Sequence, residues 1–158
     1  GQGRRTRGTS ARTAREEKTK AVGLAGEVFV GAWLQRETGL APEVTWRSGY
    51  RNDVLADGLG NDGLGYDFLV ERGTSRVLIE AKSTTGDALE FMLAESEVRR
   101  AQDLAPDEEY LIVLVTHVLE PAIRDAVVLP NPFGPGGLKR YRVAGRSMRL
   151  QFQKPDGE

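Results

Sequence analysis

The chain has 158 residues, 39% of them hydrophobic, which suits one domain around a single core. It holds no cysteine, so disulfides, thiolate zinc sites and cysteine nucleophiles are excluded, and with one histidine, His117, neither a histidine metal cage nor a Ser-His-Asp triad is expected. The net charge of −1 conceals a segregation: residues 1–20 carry seven basic side chains against Glu16 and Glu17, and residues 138–158 six against Asp156 and Glu158. The stretch between them holds 9 basic and 19 acidic residues.

Basic ends around an acidic centre fit a protein that grips a phosphate backbone outside and a cation inside. A disordered tail and a solvated basic strand fit the same charges. No apolar run approaches the roughly 20 residues that span a bilayer, and no signal peptide is visible, so a soluble cytoplasmic protein is expected. The first residue is Gly rather than Met, and a processed chain or a domain of a longer protein is expected.

In chain order, residues 1–12 are rich in Gly, Arg, Ser and Thr without apolar periodicity and read as a disordered basic arm. Residues 13–154 read as one domain. A helix is predicted from near Thr13, with Glu16 completing a capping box, through Val22, Ala25, Phe29, Ala32 and Trp33 to Gly39 and Pro42. Gly23, Gly26 and Gly31 each cost that helix about 1 kcal/mol relative to Ala, which implies close backbone packing or a nearby ligand. Glu43 to Arg47 reads as a short strand and Gly49 to Gly65 as a long loop. Tyr66 to Val70 and Arg76 to Lys82 read as a hairpin through Glu71-Arg72-Gly73-Thr74. Leu93 to Leu104 reads as a helix ending before Pro106. Tyr110 to Val118 is a continuous apolar run, as in a strand buried on both faces. Ala126 to Leu129, Leu138 to Val143 and Ser147 to Gln153 are predicted as edge strands. The sum is an α/β fold, a mixed sheet flanked by helices.

Strand alternation places Leu78, Glu80 and Lys82 on one face of the second hairpin strand. Asp67 and Leu69 lie opposite Tyr66, Phe68 and Val70 in its partner, so pairing through the turn can set Asp67 beside Glu80. Two adjacent carboxylates beside apolar neighbours repel unless a proton or cation lies between them. Magnesium takes one or two carboxylates and keeps several waters; Asp67, Glu80 and the Ala81 C=O suit it. Lys82 would position or help deprotonate an attacking water, or neutralise charge on a phosphoryl group. An Asp67–Lys82 or Glu80–Lys82 ion pair on a wet sheet face accounts for the same three residues.

Gly65-Tyr66-Asp67-Phe68, Ile79-Glu80-Ala81-Lys82-Ser83-Thr84-Thr85-Gly86, Phe91-Met92-Leu93 with Glu97 and Ala101, and Tyr110-Leu111-Ile112-Val113 together resemble the NO VEIN C-terminal-type domain. That is a branch of the PD-(D/E)xK nuclease superfamily. The likeness spans roughly residues 23–118 and includes a helical Gly26-Glu27 pair. It departs from the wider pattern in having no proline before Asp67, and residues 138–154 fall outside it.

The resemblance implies a restriction-endonuclease-like sheet and a Mg²⁺- or Mn²⁺-dependent endonuclease acting on DNA, in a restriction or anti-phage defence setting. It implies metal ligation by Asp67 and Glu80, with Glu27 as an added acid, and a catalytic role for Lys82; the role of Glu97 stays open. A fused or associated helicase, ATPase or specificity domain is implied as partner, and a homodimer is left open. Arg47, Arg51, Ser83, Thr84, Arg140 and Arg142 are candidate nucleic-acid contacts. Trp46 and Tyr50 could stack on bases or pack at a sheet edge. A nuclease-fold module that binds nucleic acid or a partner protein without cutting is the competing reading.

Overall fold

A computed structural model of the chain describes residues 3–145, with side chains described from Ser10 onward. The predicted strand over 147–153 lies outside the described residues. Among these residues no helix is long and apolar enough to cross a membrane.

Helix α1 runs from Gly3 to Thr38 and starts ten residues before the predicted onset near Thr13. Once the packed part of a helix is nucleated, each added residue costs little, and the Arg and Ala residues upstream are good helix formers. Arg12 Nε lies 3.1 Å from Glu16 one turn on, and Thr19 Oγ1 donates back to the Arg15 C=O. Residues 10–21 are exposed, so the basic end of α1 stands away from the core. From Val22 onward α1 lies on the sheet. Its three glycines mark close packing: an added Cβ would meet Tyr50 Oη at 2.9 Å from position 23 and Phe68 and Pro42 at 3.5 Å from position 31. At Gly26 it would overlap Ser83 Oγ outright.

The predicted strand at Glu43–Arg47 is instead a short helix, α2 (Pro42–Thr45). Proline at a helix start has its missing N–H where none is needed, so Pro42 both stops α1 and begins α2. The strand character survives as one bridge between Trp46 and Phe68. The predicted loop at 49–65 contains helix α3 (Tyr50–Leu55) and a 3₁₀ turn (Asp62–Leu64), with the Asn61 side chain capping the turn at Gly63 N–H.

Four strands form one sheet in the order β1 (Phe68–Arg72), β2 (Ser75–Ser83), β3 (Glu108–Thr116), β4 (Asp125–Pro130). β1 and β2 pair antiparallel as predicted, with Phe68 opposite Ile79 and Gly73 at φ +57° in the turn. β2 and β3 run parallel, and β4 returns antiparallel to β3. Helix α4 (Glu95–Gln102) makes the crossover between the two parallel strands. Gly137–Arg140 form a 3₁₀ turn that takes in the start of the edge strand predicted over Leu138 to Val143, and there is no strand over 141–145.

The sheet separates two apolar clusters. On one face Phe68, Val70, Ile79, Val113 and Val115 pack against Val30 and Leu34 of α1 and against Trp46. On the other, Leu69, Leu78, Tyr110 and Ile112 pack against Ala101 of α4. β3 therefore buries both faces, as its unbroken apolar run requires. Truncating a fully buried side chain such as Leu78 to Ala should cost about 2–5 kcal/mol.

Candidate active site

Asp67 immediately precedes β1. The turn before it needs Gly65, which sits at φ +80° with its Cα so close to α4 that a Cβ would lie 2.6 Å from the Ser96 C=O. The Tyr110 hydroxyl donates to the Gly65 C=O at 2.8 Å, tying the turn to β3. Asp67 is held on every side: its N–H donates to Ile79 C=O (2.9 Å) and its C=O accepts from Arg47 N–H (2.7 Å). Its carboxylate Oδ2 accepts the Ala81 N–H at 2.9 Å. The predicted juxtaposition of Asp67 and Glu80 across the hairpin is present.

Glu80 is 5% exposed. Burial first and the Asp67 charge second raise its pKa well above the carboxylate range, with Lys82 opposing. Burial likewise raises Asp67, to about 6, against the Ala81 N–H and Lys82, which favour its charged form. Lys82 Nζ lies 3.3 Å from Glu80 and 2.6 Å from Glu97 of α4. Burial alone would lower the lysine, but the two carboxylates outweigh it and raise it. Sequence reasoning left Glu97 without a role, because its contact depends on how α4 docks.

Glu27 reaches toward this cluster from α1. It is 6% exposed, and its Oε1 accepts from Trp46 Nε1 at 2.9 Å and from the Ser48 hydroxyl. Burial and then the Asp67 charge raise it to about 8. Trp46 and Ser48 were missed as its supports. A Trp at the end of a helix-breaking segment gives no hint that its ring N–H has a buried partner.

Asp67, Glu80 and Ala81 fit a divalent cation by donor chemistry: two hard oxygen ligands whose repulsion a cation relieves. Strand peptide groups alternate between neighbours, so the Ala81 C=O shares the edge of its N–H, beside Asp67. Among the described residues no three acidic or histidine side chains are gathered into a closed cage. Glu27 stands close enough to the pair for the Asp67 charge to help raise its pKa.

The candidate nucleic-acid contacts fare differently. Arg51 is turned inward, 3% exposed, with its guanidinium on the Trp46 C=O (2.5 Å) and on Asp57 (2.8 Å), so it braces α3 and is not displayed. Trp46 is buried and stacks on Phe68 with ring centres 5.8 Å apart, which removes it from base stacking. Arg47 is half-buried beside Asp67. Ser83 packs against Gly26, and Thr84 Oγ1 accepts from Gly86 N–H at 3.4 Å; both are half-buried at the end of β2. Arg140 and Arg142 are exposed, and Arg142 borders a groove of about 480 Å³ with Val98 of α4, Phe91, Phe133 and Tyr141. His117, at φ +47°, lies 3.3 Å from Glu120 and away from the cluster.

Residues 44–127, just over half of the chain, match the family model described as Protein NO VEIN, C-terminal. The chain belongs to this family. No curated protein and no solved structure matches it. The NO VEIN C-terminal match contains Asp67, Glu80, Lys82 and Glu97 and begins after α1. Placement of Glu27 beside the cluster thus rests on the geometry of this chain. The match also extends into β4, beyond the end of the resemblance read from the sequence.

Proposed function

We propose that this domain hydrolyses phosphodiester bonds in DNA with the help of Mg²⁺ or Mn²⁺, as a cleaving module of a larger restriction or defence assembly. The observation that carries the reading is the meeting of Asp67, Glu80 and Lys82 at one end of the β1–β2 pair, with both carboxylates desolvated. A surface ion pair needs one acid per lysine and no such desolvation.

Asp67 and Glu80, with the Ala81 C=O, would hold the cation. When bound, the cation supplies Lewis-acid polarisation of the phosphate and a water acidic enough to attack near neutral pH. The Ala81 N–H fixes the Asp67 carboxylate, so no reorganisation is needed as substrate arrives. Lys82 presents its ammonium at the same face, where it can neutralise charge gathering on the phosphoryl oxygens. The exposed end of α1 supplies a grip on the backbone. A groove of about 500 Å³ beside it is lined by Arg12, Arg15, Lys20 and Tyr50 together with Glu16 and Thr19, and Tyr50 in turn lies within electrostatic reach of Glu27 and Asp67.

The test is conversion of supercoiled plasmid to nicked or linear product by purified protein in Mg²⁺ or Mn²⁺, stopped by EDTA. Intact plasmid in both metals would refute the reading. Tight DNA binding with no cleavage would then select the non-cutting module.

A further inference from the structure

A lysine ammonium on a four-carbon stem must lose rotamer entropy before it can serve at a fixed point. β2 supplies one partner to Lys82 Nζ, Glu80 at 3.3 Å. The shorter approach, 2.6 Å, comes from Glu97 Oε1 on α4. The same oxygen accepts the Ala94 N–H at 3.3 Å, one of the donors left over at the start of α4. α4 is itself anchored. Ala101 is buried against the sheet, its C=O accepts from Asn131 Nδ2 at 2.8 Å, and Arg100 is bound to Glu108. The Glu97 carboxylate is thus held by its helix and mostly shielded, its side chain 15% exposed.

We propose that Glu97 is a positioning residue that clamps the Lys82 ammonium over the Asp67–Glu80 face, resting on the hydrolase reading above. α4 then does more than cross between parallel strands: its first turn sets the geometry of the lysine. Glu97 touches neither phosphate nor cation and acts through Lys82 alone.

Glu97→Gln keeps an acceptor for the Ala94 N–H and removes the charge; Glu97→Asp keeps the charge on a shorter stem. Glu97→Gln should leave the melting temperature and DNA affinity in Ca²⁺ near wild type. It should lower kcat about tenfold, the scale of coupling within one ion-pair network, with KM unchanged. Glu97→Asp should recover part of kcat. On a Lys82→Ala background Glu97→Gln should add nothing further. Wild-type kcat in Glu97→Gln, a loss confined to DNA affinity, or a full additional loss in the double variant would overturn the proposal. Should the wild type cleave nothing in either metal, the hydrolase reading fails, and the clamp is then judged by NMR of the lysine ammonium. A slowly exchanging Lys82 signal that disappears in Glu97→Gln sustains the clamp, and a signal unaffected by the substitution overturns it.

Discussion

The buried carboxylates make a specific demand on the stability of the metal-free protein. Glu27 titrates near pH 8 in the folded chain against 4.5 for a free side chain, and Asp67 near 6 against 3.8. Both pKa values are raised, so the folded state holds protons that the unfolded chain has released. The stability these groups contribute is complete below the unfolded values and is lost as pH climbs through the folded ones. Glu80 is raised further still and adds to the slope through the same range; between pH 6 and 8 Glu27 by itself contributes one such proton, a slope of about −1.4 kcal/mol per pH unit. For a chain of this size that is roughly 3–5 °C of melting temperature per pH unit. It is an upper figure, because water entering around Glu27 would relieve part of the desolvation. Circular dichroism melts in EDTA across pH 5–8 measure it, with Glu27→Gln as the control that should make the upper half of the curve shallower. Mg²⁺ added at pH 8 should raise the melting point of the wild type, since a ligand bound only by the folded state stabilises it. A melting temperature in EDTA that is constant or rises from pH 6 to 8 would refute the reasoning. So would a Glu27→Gln variant with the wild-type slope.

Asp67→Asn and Glu80→Gln should each abolish metal-dependent plasmid cleavage while the metal-free fold at pH 8 melts no lower than wild type, because each replaces an acid whose charged form burial penalises with a neutral side chain of the same shape; cleavage at the wild-type rate in either would remove the residue from the site. Lys82→Ala should lower turnover more than DNA affinity, and Lys82→Arg should restore it only in part, since a guanidinium is bulkier and does not deprotonate; equal losses in binding and turnover would make Lys82 a plain phosphate ligand. Replacing Arg12 and Arg15 by Ala should make the dependence of log K on log salt shallower by about 0.9 for each phosphate the protein no longer neutralises, measured in Ca²⁺ to hold back cleavage; an unchanged slope would take the substrate off α1.

What the sequence disclosed follows the range of the forces involved. The hairpin was legible because alternation and a Gly-containing turn are local, and the turn length sets the register that brings Asp67 to Glu80. β3 was legible because five successive apolar residues leave no face for water. The segment at Val44 was misjudged because its β-branched and aromatic residues suggest a strand, while the proline before them acts only through the backbone. Arg51 looked like a surface cation. Its burial depends on Asp57 six residues on and on the Trp46 C=O, a fit that exists only after α2 and α3 fold over. The Lys82–Glu97 and Trp46–Glu27 bonds were hidden for the same reason: each joins elements that are distant in sequence and meet only once the chain has folded.

The position of the candidate site follows from where the two neighbours of β2 stop. β1 pairs with β2 down to Phe68 opposite Ile79, and one further bond runs from Asp67 N–H to Ile79 C=O before the chain turns away. β3 continues alongside β2 as far as Ser83 opposite Val115. Residues 80–83 thus have a strand on one edge only. On the other edge the Ala81 N–H would face water or an apolar wall, and it is the Asp67 carboxylate that takes it. A side-chain oxygen standing in for a strand carbonyl brings a negative charge to the place where β2 also carries Glu80 and Lys82. Loss of one strand partner therefore accounts for two things together: the fixed orientation of Asp67 and the gathering of Asp67, Glu80 and Lys82 at one end of the hairpin.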